Sequence, residues 1–175
     1  MNWFKKSFIR AKGIKSISMI VAVVIILATI IISSAGCGNN NNEPILAVWV
    51  TVSEASDTVS IPVSVVKDNK MVHFLLEEGS NGEIAFMVYE LNKEIYVRSN
   101  VCPPCRSIGF SLQEDILVCD TCATTFDAKT GDGIKGACVD FPKASVPYEI
   151  EDETIIMKQN DLIASYQNTI EPGRP

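Results

Sequence analysis

Five of the six cysteines lie within a stretch of 37 residues and follow a regular spacing. Two C-x2-C pairs, Cys102 with Cys105 and Cys119 with Cys122, are separated by thirteen residues, and a further fifteen residues separate Cys122 from Cys138. Two intervening residues let one turn present both sulfurs to one metal, and two such turns complete a tetrahedral set of thiolates. The spacing therefore predicts a metal or cluster site at Cys102, Cys105, Cys119 and Cys122.

The chemistry of these cysteines leaves several alternatives open. Thiolates select zinc, iron or iron–sulfur clusters rather than magnesium or calcium. In an oxidising compartment the same residues can instead form two disulfides or a redox-active C-x2-C pair. A thioredoxin-type pair needs a helix start within a βαβ unit, and no such pattern surrounds Cys102. Cys138 lies in a Gly-rich loop with Gly131 and Gly133. Three roles are open for it: a metal ligand, a thiol beside the ligands, or a small buried apolar residue.

The N-terminal segment predicts attachment to a membrane. Residues 17–35 are almost entirely Ile, Val, Ala and Leu without charge, and about 20 apolar residues span a bilayer. Five basic residues precede them, which predicts a cytoplasmic N-terminus and an exported body. The segment is either an uncleaved anchor or a lipoprotein signal cut before Cys37, which would then carry lipid. Both alternatives predict an extracytoplasmic domain anchored to the cell membrane.

The domain organisation follows from changes in composition along the chain. We predict a signal or anchor segment over residues 1–36, an Asn-rich tether over 37–44, and a flexible tail over 169–175. The extracytoplasmic domain spans residues 45–168, with its Cys-rich metal site at 102–138.

Charge and motif content exclude several classes of function. Residues 37–175 carry ten Lys and Arg against 21 Asp and Glu, so the exported part has a net charge of −11 and no basic face for nucleic acid. The single His excludes a site that needs two imidazoles from this chain. No P-loop, dinucleotide fingerprint or His-supported nucleophile is present, which favours a non-catalytic electron-transfer or metal-binding protein.

Apolar residues in the exported part alternate with a period of two, which predicts a mainly β fold. We expect a small antiparallel β sandwich or barrel with two C-x2-C loops, preceded by one N-terminal apolar helix. Residues 146–150 and 154–157 predict a hairpin, and residues 161–166 are compatible with a short helix or a last strand. The predicted strands cover residues 45–52, 58–66, 71–76, 83–89 and 94–98.

The region after the second C-x2-C pair resembles the second half of a Rieske ferredoxin domain. The resemblance rests on Phe126-Asp127, Thr130-Gly131 and residues 147–150, and it implies a Rieske-like arrangement of the loops. Rieske centres use two His on one iron, whereas Cys105 and Cys122 stand at those positions here. The lone His73 lies about thirty residues upstream and is expected to be structural.

Residues 58–166 also resemble the FtrD-like family of membrane iron–sulfur proteins. The matching features are the two C-x2-C pairs, Gly109-Phe110, Phe126, and the stretch from Gly136 through Cys138 to Pro142. The resemblance implies an extracytoplasmic domain that holds an iron–sulfur cluster or iron and takes part in iron uptake beside an iron permease and other metal-uptake components.

The function predicted from the sequence is electron transfer linked to iron or metal uptake by a membrane-anchored metal protein. A structural zinc domain acting in protein–protein assembly is the alternative, because the same thiolates bind zinc. A metal-free thiol or disulfide module is a further alternative. The predicted partners are the membrane and the metal-uptake components, and no nucleic acid.

Overall fold

The computed structural model describes residues 43–78 and 82–172 of the chain. The predicted segment over residues 1–36, Cys37 and most of the tether lie outside the described residues, as do residues 173–175 of the tail. Within the described ranges, no helix has the length and apolar character needed to cross a bilayer.

A central sheet buries apolar side chains on both of its faces. Strands β5 (Met71–Glu78), β6 (Gly82–Leu91) and β7 (Glu94–Ser99) pair antiparallel, and the short β2 (Val48–Trp49) pairs parallel with β5. Successive side chains on a strand point to opposite faces, so Phe74 and Phe86 enter one apolar core while Met71 and Met87 enter the other. The central sheet therefore separates two cores.

The first core lies between the central sheet and an outer layer of strands and helices. Strands β12 (Glu149–Glu151), β13 (Thr154–Lys158), β4 (Thr58–Pro62) and β3 (Ser53–Ala55) form an antiparallel sheet in that order. Helices α1 (Val63–Asn69) and α2 (Gln159–Ile170) contribute Val63, Val66 and Leu162 to the same core. Burial of these apolar side chains from strands and helices holds this layer on the central sheet.

The second core joins the central sheet to a third sheet. This antiparallel sheet has the order β1 (Ile45–Leu46), β8 (Phe110–Gln113), β9 (Ile116–Cys119), β10 (Thr125–Asp127) and β11 (Gly133–Lys135), and Cys119 ends β9. Phe110, Leu117 and Phe126 pack in this core with Cys102, Cys119 and Cys138. The candidate metal centre is thus built against a rigid apolar core.

The structure confirms a mainly β fold and corrects it in detail. The sheets do not close, so the predicted barrel does not form. The predicted strand over residues 58–66 is wrong after Pro62, where helix α1 begins. Proline has no N–H to continue a ladder, and the Val63 amide instead donates to the Glu153 carbonyl at 2.8 Å. Residues 161–166, which the pattern left open, belong to the longer helix α2.

Candidate metal centre

The two C-x2-C pairs lie in turns of the same construction. The Cys102 amide donates to the carbonyl of Ser107 at 2.8 Å, and the Cys119 amide donates to that of Thr124 at 2.9 Å. In both cases the acceptor is five residues after the first cysteine. The residue after the second cysteine has a positive φ in each turn, +58° at Arg106 and +54° at Ala123. The chain therefore builds the same cysteine-bearing turn twice.

Hydrogen bonds between the turns hold them side by side. The Thr121 hydroxyl donates to Ser107 Oγ at 3.0 Å, and the Asp120 amide donates to the carbonyl of Gly109 at 3.0 Å. Gly109 permits this approach, because a Cβ there would lie 2.9 Å from a carboxylate oxygen of Asp120. The antiparallel pairing of Phe110 with Cys119 continues the contact into the sheet.

All five predicted cysteines converge in space. The sulfurs of Cys102 and Cys122 are 4.0 Å apart, those of Cys105 and Cys119 are 3.7 Å apart, and those of Cys122 and Cys138 are 3.7 Å apart. Every one of these five cysteines of the described ranges is a free thiol. The loop after β11 brings in Cys138, whose relation to the C-x2-C pairs the spacing left open.

The closest set of four sulfurs differs in one member from the set predicted by spacing. The sulfurs of Cys102, Cys105, Cys122 and Cys138 all lie within 4.8 Å of one another. Cys119 is not part of this set, although its sulfur lies 3.7 Å from that of Cys105. Three predicted ligands are therefore common to both sets, and the fourth position has two candidates.

Thr124 organises the second turn and was not identified from the sequence. Its hydroxyl lies 3.2 Å from the sulfur of Cys122 and accepts the Cys138 amide at 3.3 Å. Gly136 packs directly on this threonine, since a Cβ on Gly136 would lie 2.5 Å from Thr124 Oγ1. A hydroxyl two residues after a cysteine is only a weak sequence indication of such a supporting residue, because Ser and Thr often bond to nearby groups in turns of any kind.

Two buried cations were also not identified from the sequence. The Arg98 guanidinium donates to Tyr89 Oη at 2.9 Å, to the Lys143 carbonyl at 2.8 Å, and to the Lys129 carbonyl. The Lys143 side chain is fully buried, and its ammonium donates to the Val101 carbonyl at 2.7 Å. No local sequence pattern distinguishes these residues from surface cations, since their burial follows from long-range packing.

The thiols differ in their acidity. Burial raises the pKa of Cys102 and of Cys119 above the ordinary value. Burial also acts to raise the pKa of Cys122, but hydrogen bonds with Thr124 and with neighbouring thiols outweigh it and lower the pKa to about 6. Cys122 is therefore the member of the set most readily present as a thiolate at neutral pH.

The donor set fits a metal that prefers sulfur. A tetrahedral ion with metal–sulfur bonds of 2.3 Å requires sulfur–sulfur separations of about 3.8 Å. The contacts of 3.7 to 4.0 Å match that edge length. Thiolates are also the ligands of iron–sulfur clusters, in which the terminal sulfurs bind different irons and some of them stand further apart. The chemistry of the donor set fits iron, an iron–sulfur cluster or zinc.

Comparison with known structures supports the fold. A chain of the structure described as "Complex of reduced oxygenase and oxidized ferredoxin in carbazole 1,9a-dioxygenase" is 14% identical, with a TM-score of 0.50 over 60% of this chain and 95% of that chain. A Sphingomonas yanoikuyae B1 ferredoxin is 25% identical, with a TM-score of 0.46 over 56% of this chain and 93% of that chain. The first of these two likenesses concerns the fold alone.

Comparison with protein families identifies the chain more directly. No curated protein matches it. A family model described as "Membrane iron-sulfur containing protein FtrD-like" matches residues 66–168, which include both C-x2-C turns and Cys138. With more than half of its length matched, the chain belongs to the FtrD-like family of membrane iron–sulfur proteins.

Proposed function

We propose that this protein is a membrane-anchored, extracytoplasmic electron carrier whose iron–sulfur cluster or iron is held by the converging cysteines. The observation that carries the proposal is the set of five free thiols with sulfur contacts of 3.7 to 4.0 Å. Membership in an iron–sulfur family supports iron as the metal. When bound, iron supplies a one-electron redox couple.

Cys102, Cys105 and Cys122 are common to both candidate ligand sets. The paired turns favour Cys119 as the fourth ligand, because each turn then supplies two sulfurs. The mutual distances favour Cys138, whose sulfur lies 3.7 Å from that of Cys122. The fifth thiol then lies beside the ligands, where its hydrogen bonding and charge tune the reduction potential of the centre.

The surrounding residues suit electron exchange at one edge of the centre. Cys102, Cys119 and Cys138 are buried, whereas Cys105 and Cys122 are partly exposed. Phe110 and Phe126 exclude water from the buried side. A partner protein therefore approaches the edge formed by Cys105 and Cys122, while Thr124 holds the orientation of that edge.

The cellular setting of the proposal comes from the sequence and the family. Residues 1–36 serve as the signal or anchor, residues 37–44 as the tether, and residues 45–168 as the exported domain. Membership in a membrane protein family supports this arrangement and a link to iron uptake beside an iron permease and other metal-uptake components. Intact-mass measurement of protein purified from membranes tests the anchor. A mass equal to that of residues 37–175 plus lipid indicates a lipoprotein. A mass that includes residues 1–36 contradicts lipidation.

A second candidate function is a structural zinc domain that acts in protein–protein assembly. The observation that favours it is the match between the sulfur contacts and the edge of a single-ion tetrahedron. In that case the metal links the two turns to the loop that carries Cys138, and function lies in contacts with a partner.

Metal, sulfide and visible absorption measured on anaerobically purified protein distinguish these candidates. Iron with equimolar inorganic sulfide and a coloured protein supports a cluster, and iron without sulfide supports a single iron. A colourless protein with one zinc rejects electron transfer. A metal-free protein with disulfides rejects both candidates in favour of the thiol module.

Single Cys→Ser variants test the ligand assignment. We expect Cys102→Ser to abolish metal binding, and retained stoichiometry would reject the assignment. Comparison of Cys119→Ser with Cys138→Ser identifies the fourth ligand, since only one of the two should lose the metal. Each of these two variants is the control for the other, because both replace one thiol of the converging group by a hydroxyl.

A further inference from the structure

Lys143 is a lysine held in a fixed position in the interior. Its backbone amide donates to the Gly131 carbonyl at 2.8 Å, and its own carbonyl accepts a hydrogen bond from Arg98. Its ammonium donates to the carbonyl of Val101, the residue before Cys102. The side chain is completely buried, so its charge cannot be solvated by bulk water.

Among the described residues, no carboxylate neutralises this ammonium. In the described part of the chain, none lies within 4 Å of Lys143 Nζ, and the recorded ion pair joins Lys70 and Glu90. The ammonium instead lies 4.4 Å from the centroid of the Phe126 ring and 5.4 Å from that of Phe110. Two ring faces offset part of the cost of burying a charge but do not replace a counter-ion.

The anionic partners available to Lys143 are the thiols of the candidate metal centre. Burial lowers the pKa of Lys143 to about 8, and electrostatic attraction to Cys102, Cys119, Cys138 and Cys105 opposes that decrease. The interaction is mutual, because the Lys143 charge acts to lower the pKa of Cys102. A buried cation without a carboxylate is thus placed beside a group of potential anions.

The other buried cation, Arg98, is engaged elsewhere. The Arg98 guanidinium is bound by Tyr89 Oη and by two backbone carbonyls, and it interacts electrostatically with the Asp127 carboxylate. Arg98 therefore has a carboxylate partner, whereas Lys143 has none among the described residues.

We propose that Lys143 is the internal counter-charge of the metal–thiolate centre and favours both metal loading and the reduced state. This inference rests on the proposed metal-binding function. Loading replaces thiol protons by a metal and leaves a set of thiolates with net negative charge. Reduction adds one electron, taken from a one-electron donor protein, and makes the centre one unit more negative while Lys143 keeps its proton. A fixed positive charge stabilises the more negative partner in both equilibria.

Neutral substitutions of Lys143 in the full-length, metal-loaded protein test the proposal. Lys143→Met keeps the apolar length, Lys143→Gln keeps an N–H donor for the Val101 carbonyl, and Lys143→Arg keeps the charge. The matched control is Lys158→Met, which removes the same charge from an exposed position. If Lys143→Met does not fold, Lys143→Gln carries the same test without leaving the carbonyl unpaired.

Two readouts apply, according to the metal found in the wild type. For an iron-bound protein, we expect the neutral variants to shift the reduction equilibrium about tenfold toward the oxidised state, or about 59 mV for one electron. For a zinc-bound protein, we expect about tenfold weaker binding in competition with a chelator. Lys158→Met should change either quantity less than twofold, and Lys143→Arg should retain the wild-type value.

The outcomes separate this inference from the function on which it rests. A wild-type protein without metal contradicts the proposed function itself. A wild type that binds metal, together with neutral variants that match Lys158→Met in potential or affinity, overturns only the role of Lys143. Neutral variants that stay unfolded even in excess metal, while Lys143→Arg folds and loads metal, also overturn the proposal, because the charge then serves folding and not the centre.

Discussion

The single histidine makes the pH dependence of stability unusually easy to assign. His73 lies on β5 with only 2% of its surface exposed, and its ring meets Trp49 edge-on at a centroid distance of 5.1 Å. Its Nε2 has no hydrogen-bond partner among the described residues. Burial lowers the pKa of His73 from 6.5 to about 4.

This lowered pKa determines how the free energy of unfolding changes with pH. Between the two pKa values the unfolded chain binds a proton that the folded protein does not, so stability falls as the pH decreases from about 6.5 toward 4. The full shift corresponds to about 3.4 kcal/mol, and about 2 kcal/mol of it is lost between pH 7 and pH 5. Above pH 7 His73 is neutral in both the folded and the unfolded chain, and its contribution to stability no longer changes with pH.

Comparison of the wild type with His73→Phe isolates this contribution. Phenylalanine keeps a ring against Trp49 and cannot bind a proton, so the free energy of unfolding of the variant should lack this decrease. Urea unfolding of both metal-loaded proteins at pH 7, 6 and 5 measures the difference in slope. Because the cysteines and carboxylates are common to both proteins, their titration cancels in the comparison.

Equal pH slopes for the two proteins would refute the argument. A direct check is the NMR titration of the only imidazole in the chain. An imidazole that titrates near 6.5 in the folded protein would mean that His73 is solvated and contributes no such effect.

The remaining predictions concern groups that support the centre. Gly136→Ala should destabilise the protein by about 1–3 kcal/mol more than Gly82→Ala, because both positions have positive φ but only Gly136 packs on another residue; urea unfolding of the pair measures this. Thr124→Val removes the hydroxyl beside Cys122 and should weaken metal binding about 10–100-fold in chelator competition, and unchanged affinity would contradict its supporting role. Tyr89→Phe removes a buried hydroxyl that accepts from Arg98 and should cost about 1–3 kcal/mol of unfolding free energy, whereas Tyr96→Phe, on an exposed hydrogen bond, should cost less than about 0.5 kcal/mol.

Sequence reasoning was reliable where the controlling interactions are local. The C-x2-C spacing predicted cysteine-bearing turns, and such turns depend on a few neighbouring residues. Alternation with a period of two predicted the strands of the central sheet for the same reason. It failed at residues 63–66, where Val63 and Val66 favour a strand by propensity but form helix α1. Their burial in the first core and the stop at Pro62 outweighed that propensity.

What the sequence alone determined is the presence of a sulfur-rich site on a β framework, because residue type and short-range spacing are sufficient for that conclusion. Tertiary structure decided which sulfurs meet. Cys138 enters the closest set because the loop after β11 folds back over Thr124, a contact that Gly136 permits. Long-range packing also placed the Lys143 ammonium on the carbonyl of Val101, the residue before Cys102, and near two aromatic rings. Burial and proximity depend on the whole chain, so no local pattern contains them.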